Sequence, residues 1–262
     1  MKRVWLRAAA LALAVVGAVA GLTVYFSTEK IPRCLVSGVG TWRPPTDRRT
    51  HRYEVVILDA SACFFDMDQQ QRLVGALPLA QAKWLSAAVP RASNTLSVKN
   101  LEQGVAFVTR RGLLGVRVVN LTPNRLLYVT RFKGFTWNPR FGPDPPSHGL
   151  SLAPDGSELW VLDAPNSVVH VFDVRALPPR RLEDIRLSKP ISGDESPCTR
   201  SCGRIGSLLH SADGRFVYVG DAGDVIDTRT REIVANLEAL HNSRVQLEVD
   251  WVGGKAVFPG HS

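Results

Sequence analysis

The sequence lacks most of the signatures that announce an enzyme. It has no Gly-rich phosphate loop, no Gly-x-Ser-x-Gly nucleophile elbow and no His-Glu-x-x-His pair. Nucleotide hydrolysis, serine acyl transfer and zinc proteolysis by their commonest routes are therefore not expected. Cys-x-x-Cys-His is missing too, which argues against covalently attached c-type haem. There is no low-complexity tract. Acidic residues are outnumbered, 24 Asp and Glu against 32 Lys and Arg, for a net charge of +8. Three of the basic residues, Lys2, Arg3 and Arg7, precede an apolar segment. The pairs Arg48-Arg49, Arg110-Arg111 and Arg180-Arg181 are scattered and form no single basic stripe. Nucleic-acid binding needs a focused basic face with exposed stacking aromatics, and is not expected. Attraction to an anionic membrane surface fits the charge better.

Cysteine is sparse but even in number: Cys34, Cys63, Cys198 and Cys202. In an exported chain an even count reads first as disulfides. Bridging Cys198 to Cys202 would staple a small Gly/Pro/Ser-rich insert and leave Cys34 to pair with Cys63. A zinc site borrowing His210 and a redox dithiol are the rivals. The Cys-x3-Cys spacing suits neither, and no second pair stands at zinc-ribbon spacing.

Export itself is read from the first thirty residues. After Lys2, Arg3 and Arg7, the stretch Ala8–Phe26 carries no charge. Ala18-Val-Ala20 fits a small-residue cleavage site. Yet Gly21–Phe26 continues apolar, and about 20 apolar residues span a bilayer. A cleaved signal peptide and a retained signal-anchor both stay open. Either sends the remainder, residues 31–262, out of the cytoplasm as one domain in the periplasm, outside the cell or on the outer side of a membrane.

What the sequence does have is a repeat. Ala153–Asp163 (APDGSELWVLD) recurs as Ser211–Asp221 (SADGRFVYVGD), 58 residues on (211 minus 153). In the first copy Gly149–Ala153 is a short apolar run, and Pro154-Asp-Gly156 is turn chemistry. Glu158–Leu162 is strand-like, Asp163–Ser167 is a second turn cluster, and Val168–Phe172 is a third strand. Arg180–Leu187 supplies a fourth. The second copy runs in the same order: Gly206–His210, Ala212–Gly214, Arg215–Val219, a turn at Asp221–Asp224, Val225–Asp227, and Arg231–Leu237. Four antiparallel strands per unit make a β-propeller blade.

With these residues on the page, the repeat resembles the YVTN-type, WD-repeat-like β-propeller repeat of bacterial exported proteins, most closely over 148–237. The resemblance implies an all-β propeller of four-stranded blades. Tyr53–Asp59 resembles a blade's third strand, and Gly104–Thr109, Gly115–Val119 and Arg125–Thr130 are spaced as hairpins. At ~40–45 residues per blade, the chain beyond its N-terminal segment allows about five blades, or a ring imperfectly closed.

In such a fold the loop between strands two and three shares a face with the loop leading into each blade, and that face usually carries ligand sites. It would bear His148, Asp163, Asn166, Asp221 and Asp224. A His at the channel mouth can serve as base or metal ligand, or simply hold a loop carbonyl. Asp163 and Asp221 occupy matching places in two blades. Carboxylates so repeated can bind a cation, but they also make Asx-turns. Asp173 and Asp227 end third strands and read as turns. His170 reads as structural, and His210 as pointing to the opposite face. No nucleophile–base pair is legible, no catalytic residue is assigned and no cofactor or metal is expected. The favoured reading is a binding scaffold with a protein or small-molecule ligand at one face. The alternative is an enzyme similar to propeller lactonases, or a propeller subunit of a cofactor-dependent dehydrogenase.

Overall fold

A computed structural model of the chain describes Cys34 and residues 40–58, 61–86, 96–135, 145–194 and 203–259. The N-terminal segment and the Cys198/Cys202 insert lie outside the described residues. Among the described residues, seventeen strands form four antiparallel sheets. The first sheet has the order β17-β16-β1-β2-β3: β1 is His51–Leu58, β2 Ser61–Asp66, β3 Arg72–Pro78, β16 Gln246–Val252 and β17 Lys255–Val257. The second runs β4 (Ser97–Asn100), β5 (Val105–Arg110), β6 (Leu113–Asn120), β7 (Arg125–Arg131). The third runs β8 (Leu150–Leu152), β9 (Glu158–Asp163), β10 (Val168–Asp173), β11 (Arg180–Arg186). The fourth runs β12 (Ser207–His210), β13 (Phe216–Gly220), β14 (Asp224–Asp227), β15 (Ile233–Asn236). These are the blades of a β-propeller; the helical elements described in full are one turn at Lys83–Ser86 and two short 3-10 segments, and Cys34 is helical as well. None of these helices is long and apolar enough to cross a membrane.

The described residues build four blades, where chain length allowed about five, and the first of them combines early strands with late ones. The late strand β16 pairs with β1 from His51 opposite Trp251 to Val56 opposite Gln246. Tyr53–Leu58, expected as a third strand, is the third of the five strands in this sheet.

Burial follows position within a blade. The middle strands β9 (ELWVLD) and β13 (FVYVG) are covered on both faces and read as nearly continuous apolar runs; β13 is buried at every residue. The outer strand β11 (RRLEDIR) keeps only Ile185 buried and shows its charges to water. Three apolar clusters join neighbouring blades. Val98, Phe107 and Val118 of the second blade meet Leu150, Leu159 and Val161 of the third. Trp160, Leu162 and Val171 meet Leu208, Val217 and Ile226 of the fourth. Tyr218, Phe216 and Val225 meet Val56, Phe65 and Met67 of the first. The far side of the first blade packs instead on Trp42, Leu85 and Trp84, with Trp42 stacked on Phe64 at 4.2 Å. Among the described residues no apolar cluster joins the first blade to the second.

The repeated turns match atom for atom. Asp155 Oδ1 accepts from Ser157 N–H at 3.0 Å, and Asp213 Oδ1 from Arg215 N–H at 3.0 Å. Gly156 N–H bonds Ala153 O and Gly214 N–H bonds Ser211 O, each at 2.8 Å. A Cβ on Gly214 would stand 3.3 Å from Pro154 Cδ, so the two turns are neighbours on one face of adjacent blades, as the repeat predicts.

Cys34 and Cys63 form a disulfide, closing a separation of 29 residues beneath the first blade. Cys63 belongs to β2 and both cysteines are buried in the cluster shared with the fourth blade.

Candidate functional site

The face opposite the Asp155 and Asp213 turns is where β9 turns into β10, β13 turns into β14, and the chain enters β8 and β12. Antiparallel pairing fixes this: Leu162 N–H bonds Gly149 O at 3.0 Å, placing the start of β8 beside the end of β9. All five residues expected at a ligand face do lie here. They are held as a frame of hydrogen bonds rather than as an open cluster.

His148 is buried, and its Nδ1 lies 2.9 Å from Gly206 O. Gly206 N–H in turn donates to Asp221 Oδ2 at 3.0 Å, beside Ile205 N–H at 3.2 Å. One peptide of the chain entering β12 thus bridges the third blade's histidine and the fourth blade's aspartate. Arg244 Nε, leading into β16, stands 3.9 Å from the same Asp221 oxygen. Gly206 can fill this place because its φ is +72° and a Cβ there would sit 2.2 Å from Leu162 Cδ2.

Asp163, the repeat counterpart of Asp221, bonds differently. Its Oδ1 accepts from Asn166 N–H at 3.0 Å, and its Oδ2 from Asn166 Nδ2 at 2.8 Å. Asn166 Nδ2 also donates to Lys133 O at 3.0 Å, tying the turn to the second blade. Asp224 accepts from Ser188 N–H at 2.8 Å and from Asn236 Nδ2 at 2.7 Å, which locks the long β11–β12 link to the fourth blade.

His170 lies between carboxylates. Its Nε2 is 3.2 Å from Asp163 Oδ2 and its Nδ1 is 2.8 Å from Asp184 Oδ1, with Phe132 packed on the ring at 4.0 Å. Burial pushes the Asp184 carboxyl up, but bonds from His170 and Arg181 outweigh it and hold the group below its ordinary value. This agrees with a structural reading of His170. His210 Nδ1 pairs with Ser151 Oγ at 2.7 Å across the third and fourth blades, at the end of β12 away from His148. Asp173 and Asp227 accept from turn amides of Arg175 and Arg229, as expected.

A second group of functional residue types was not legible in the sequence. Glu54 of β1 and Glu248 of β16 face each other across the ladder that joins the chain ends, both buried. Neither Glu54 oxygen has a hydrogen-bond partner among the described residues, whereas Glu248 Oε2 accepts from Ala212 N–H at 2.6 Å. Burial, and then the Glu248 charge, push Glu54 well above the usual carboxylate range. Burial likewise pushes Glu248 up to about 7. Tyr218 covers the pair and donates its hydroxyl to Gln71 Oε1 at 3.1 Å. Paired carboxylates of raised pKa are the raw material of acid–base chemistry, but here they are sealed between the first and fourth blades.

Among the described residues no group of three or more His, Cys, Asp or Glu is placed to hold a metal ion. The ligand-face carboxylates spend their oxygens on amides and on neighbouring side chains, which is work of positioning.

No known protein family matches the chain, and no curated protein matches it. Among solved structures it is similar to the periplasmic gluconolactonase PpgL of Pseudomonas aeruginosa: 14% identity, 79% of this chain and 56% of that one, TM-score 0.39. It is also similar to the Cps50 (Swd1) β-propeller domain of Myceliophteria thermophila, with 12% identity, 72% and 55% coverage, and TM-score 0.37. A third is hydrazine synthase of Kuenenia stuttgartiensis, with 16% identity, 68% and 43% coverage, and TM-score 0.40. The chain spans about half the length of these proteins. At such scores nothing about activity or ligand follows.

Proposed function

We propose that this chain is an exported binding scaffold of the YVTN-type repeat class, taking a protein or small-molecule ligand at the face that bears His148, Asp163, Asn166, Asp221 and Asp224. The observation that carries the reading is the bridge His148–Gly206–Asp221. It spends a histidine and a carboxylate on fixing two blades relative to each other, so the face is rigid before any ligand arrives. Preorganisation of this kind lowers the entropy lost on binding. The exported address is supported by the Cys34–Cys63 disulfide, a bond that persists in oxidising compartments, and by the basic and then apolar N-terminal segment.

The test is site-specific photo-cross-linking in the living cell. A photoreactive residue at exposed Pro165 on this face is expected to yield a discrete adduct, and one at exposed Asp155 on the opposite face none. Adducts at Asp155 alone would overturn the assignment. Hydrolysis of a gluconolactone by the purified protein, abolished by Asp221→Ala in a folded variant, would replace the scaffold with an enzyme.

A further inference from the structure

The outer strands of the four blades treat their open edges differently. At β3 the edge is occupied: Trp42 N–H bonds Ala76 O at 2.9 Å and Ala76 N–H bonds Gly40 O at 3.2 Å. β11 carries charges of both signs along its length, and β15 is only four residues long. These are ordinary ways of blunting an edge. β7, Arg125-Leu-Leu-Tyr-Val-Thr-Arg131, uses none of them. It runs seven residues, pairs among the described residues only with β6, and exposes Leu126, Tyr128 and Val129 at 42%, 38% and 40%. Of the nine large hydrophobic residues exposed among the described residues, five lie between Leu96 and Val129. The same blade is the basic one: residues 97–134 hold seven Lys and Arg against a single acid, Glu102. Of the three arginine pairs, Arg110-Arg111 lies on this blade, alongside Arg117, Arg125 and Arg131.

We propose that β7 is a strand-addition site for an extended segment of another protein, apolar at its centre and acidic at both ends. Direction of the backbone supports this. Phe132 N–H points inward to Leu114 O at 3.0 Å, and Thr130 O lies inward against Gly115. By the two-residue alternation of a strand, the amides of Val129 and Arg131 point outward. An added strand satisfies these groups and covers Leu126 and Val129.

Charge selects the occupant. Two copies pairing antiparallel about Tyr128 would set Arg125 opposite Arg131 at both ends, and parallel in-register pairing would set each arginine opposite itself. Like charges directly opposed are destabilising. The chain's own N-terminal segment is basic as well. Acidic ends on the partner turn both repulsions into attraction. A lipid surface is disfavoured because hydrocarbon cannot satisfy the open amides. β7 ends beside the face that bears Asn166, which bonds Lys133 O, but the proposal rests on the strand edge alone and stands whether or not that reading holds.

The test uses the full chain and two fluorescent peptides, Glu-Val-Thr-Ile-Thr-Val-Glu and its twin with Lys at both ends, followed by anisotropy. The acidic peptide is expected to bind about tenfold or more tighter than its twin, since two terminal charge pairs change sign. Val129→Pro removes an outward donor, a place where an edge strand tolerates proline. It should abolish binding while leaving the circular dichroism spectrum and melting unchanged. Should that variant fail to fold, Arg125→Glu with Arg131→Glu serves instead and should reverse the peptide preference. Equal binding of the two peptides, or undiminished binding by a folded Val129→Pro protein, overturns the proposal. So does a loss, in Val129→Pro, of binding to phosphatidylglycerol vesicles without loss of peptide binding, which would make the edge a membrane contact.

Discussion

Glu248 offers the sharpest test of how the chain ends are held together. Its carboxyl is buried opposite Glu54 and titrates near 7 in the fold against an ordinary 4.5. Burial is the main cause, with Asp250 and Asp213 adding repulsion, while the Ala212 amide and Arg52 pull the other way. A carboxyl whose pKa is higher folded than unfolded stabilises fully below pH 4.5 and loses that contribution as pH rises from 4.5 to about 7. Over that window the loss is about 3 kcal/mol, at 1.36 kcal/mol per unit. Glu248→Gln keeps an oxygen for the Ala212 amide and cannot ionise. It is expected to stabilise the protein by about 3 kcal/mol at pH 8 and by almost nothing at pH 4.5. For a domain of this size that is roughly 6–12 °C in melting temperature. Urea unfolding of the oxidised protein at both pH values measures it. An equal shift at both, or destabilisation at pH 8, refutes the reasoning, because either would mean that the carboxyl is not paying for burial through its charge. Glu54→Gln should act in the same direction, and the double variant should gain less than the two singles together, since the charges face each other.

Three further outcomes are expected. Reducing Cys34–Cys63, which spans 29 residues, should cost about 3–4 kcal/mol by loop closure, read as a shift of the urea midpoint with and without reductant. Gly206→Ala should cost about 2–4 kcal/mol, from its positive φ and from the collision with Leu162. Gly253→Ala, equally left-handed but in open space, should cost about 1 kcal/mol; equal costs at the two glycines would show that the Leu162 approach is relieved cheaply. Asp221→Ala should cost at least about 2 kcal/mol, because the buried Ile205 and Gly206 amides lose their acceptor. Thermal melts that leave this variant unchanged would deny it the role of blade bridge.

The Pro154–Gly156 and Ala212–Gly214 turns made the blade legible, since Asp and Gly at fixed offsets encode a local hairpin that needs no distant partner. Strands β8–β15 fall within a residue or two of their expected bounds for the same reason. Glu54 was not legible because nothing local marks it: a lone acid in an apolar strand reads as a surface residue until β16, some two hundred positions away, closes over it. That His148, Asp163, Asn166, Asp221 and Asp224 share one face was legible; how they bond was not. Asp163 and Asp221 recur in sequence, yet one turns onto its own Asn166 and the other onto the incoming Gly206 peptide, a choice made by the neighbouring blade. The basic blade was missed because its seven Lys and Arg are spread over thirty-odd positions and gather only when β4–β7 form one sheet.

The pairing of β1 with β16 has a mechanical meaning. His51 and Trp251 sit at the same end of that ladder; the chain enters β1 there, while beyond β16 it turns back into β17. Tension applied through the segment before His51 would therefore peel β1 from β16 one rung at a time, the weakest way to load a sheet. The Cys34–Cys63 bond removes β1 from that line of force. A pull arriving from before Cys34 crosses the sulfurs directly into β2, and the whole of β1 lies slack inside the closed loop. Oxidised, the propeller resists being drawn open by a tether on its N-terminal side; reduced, it unzips from His51.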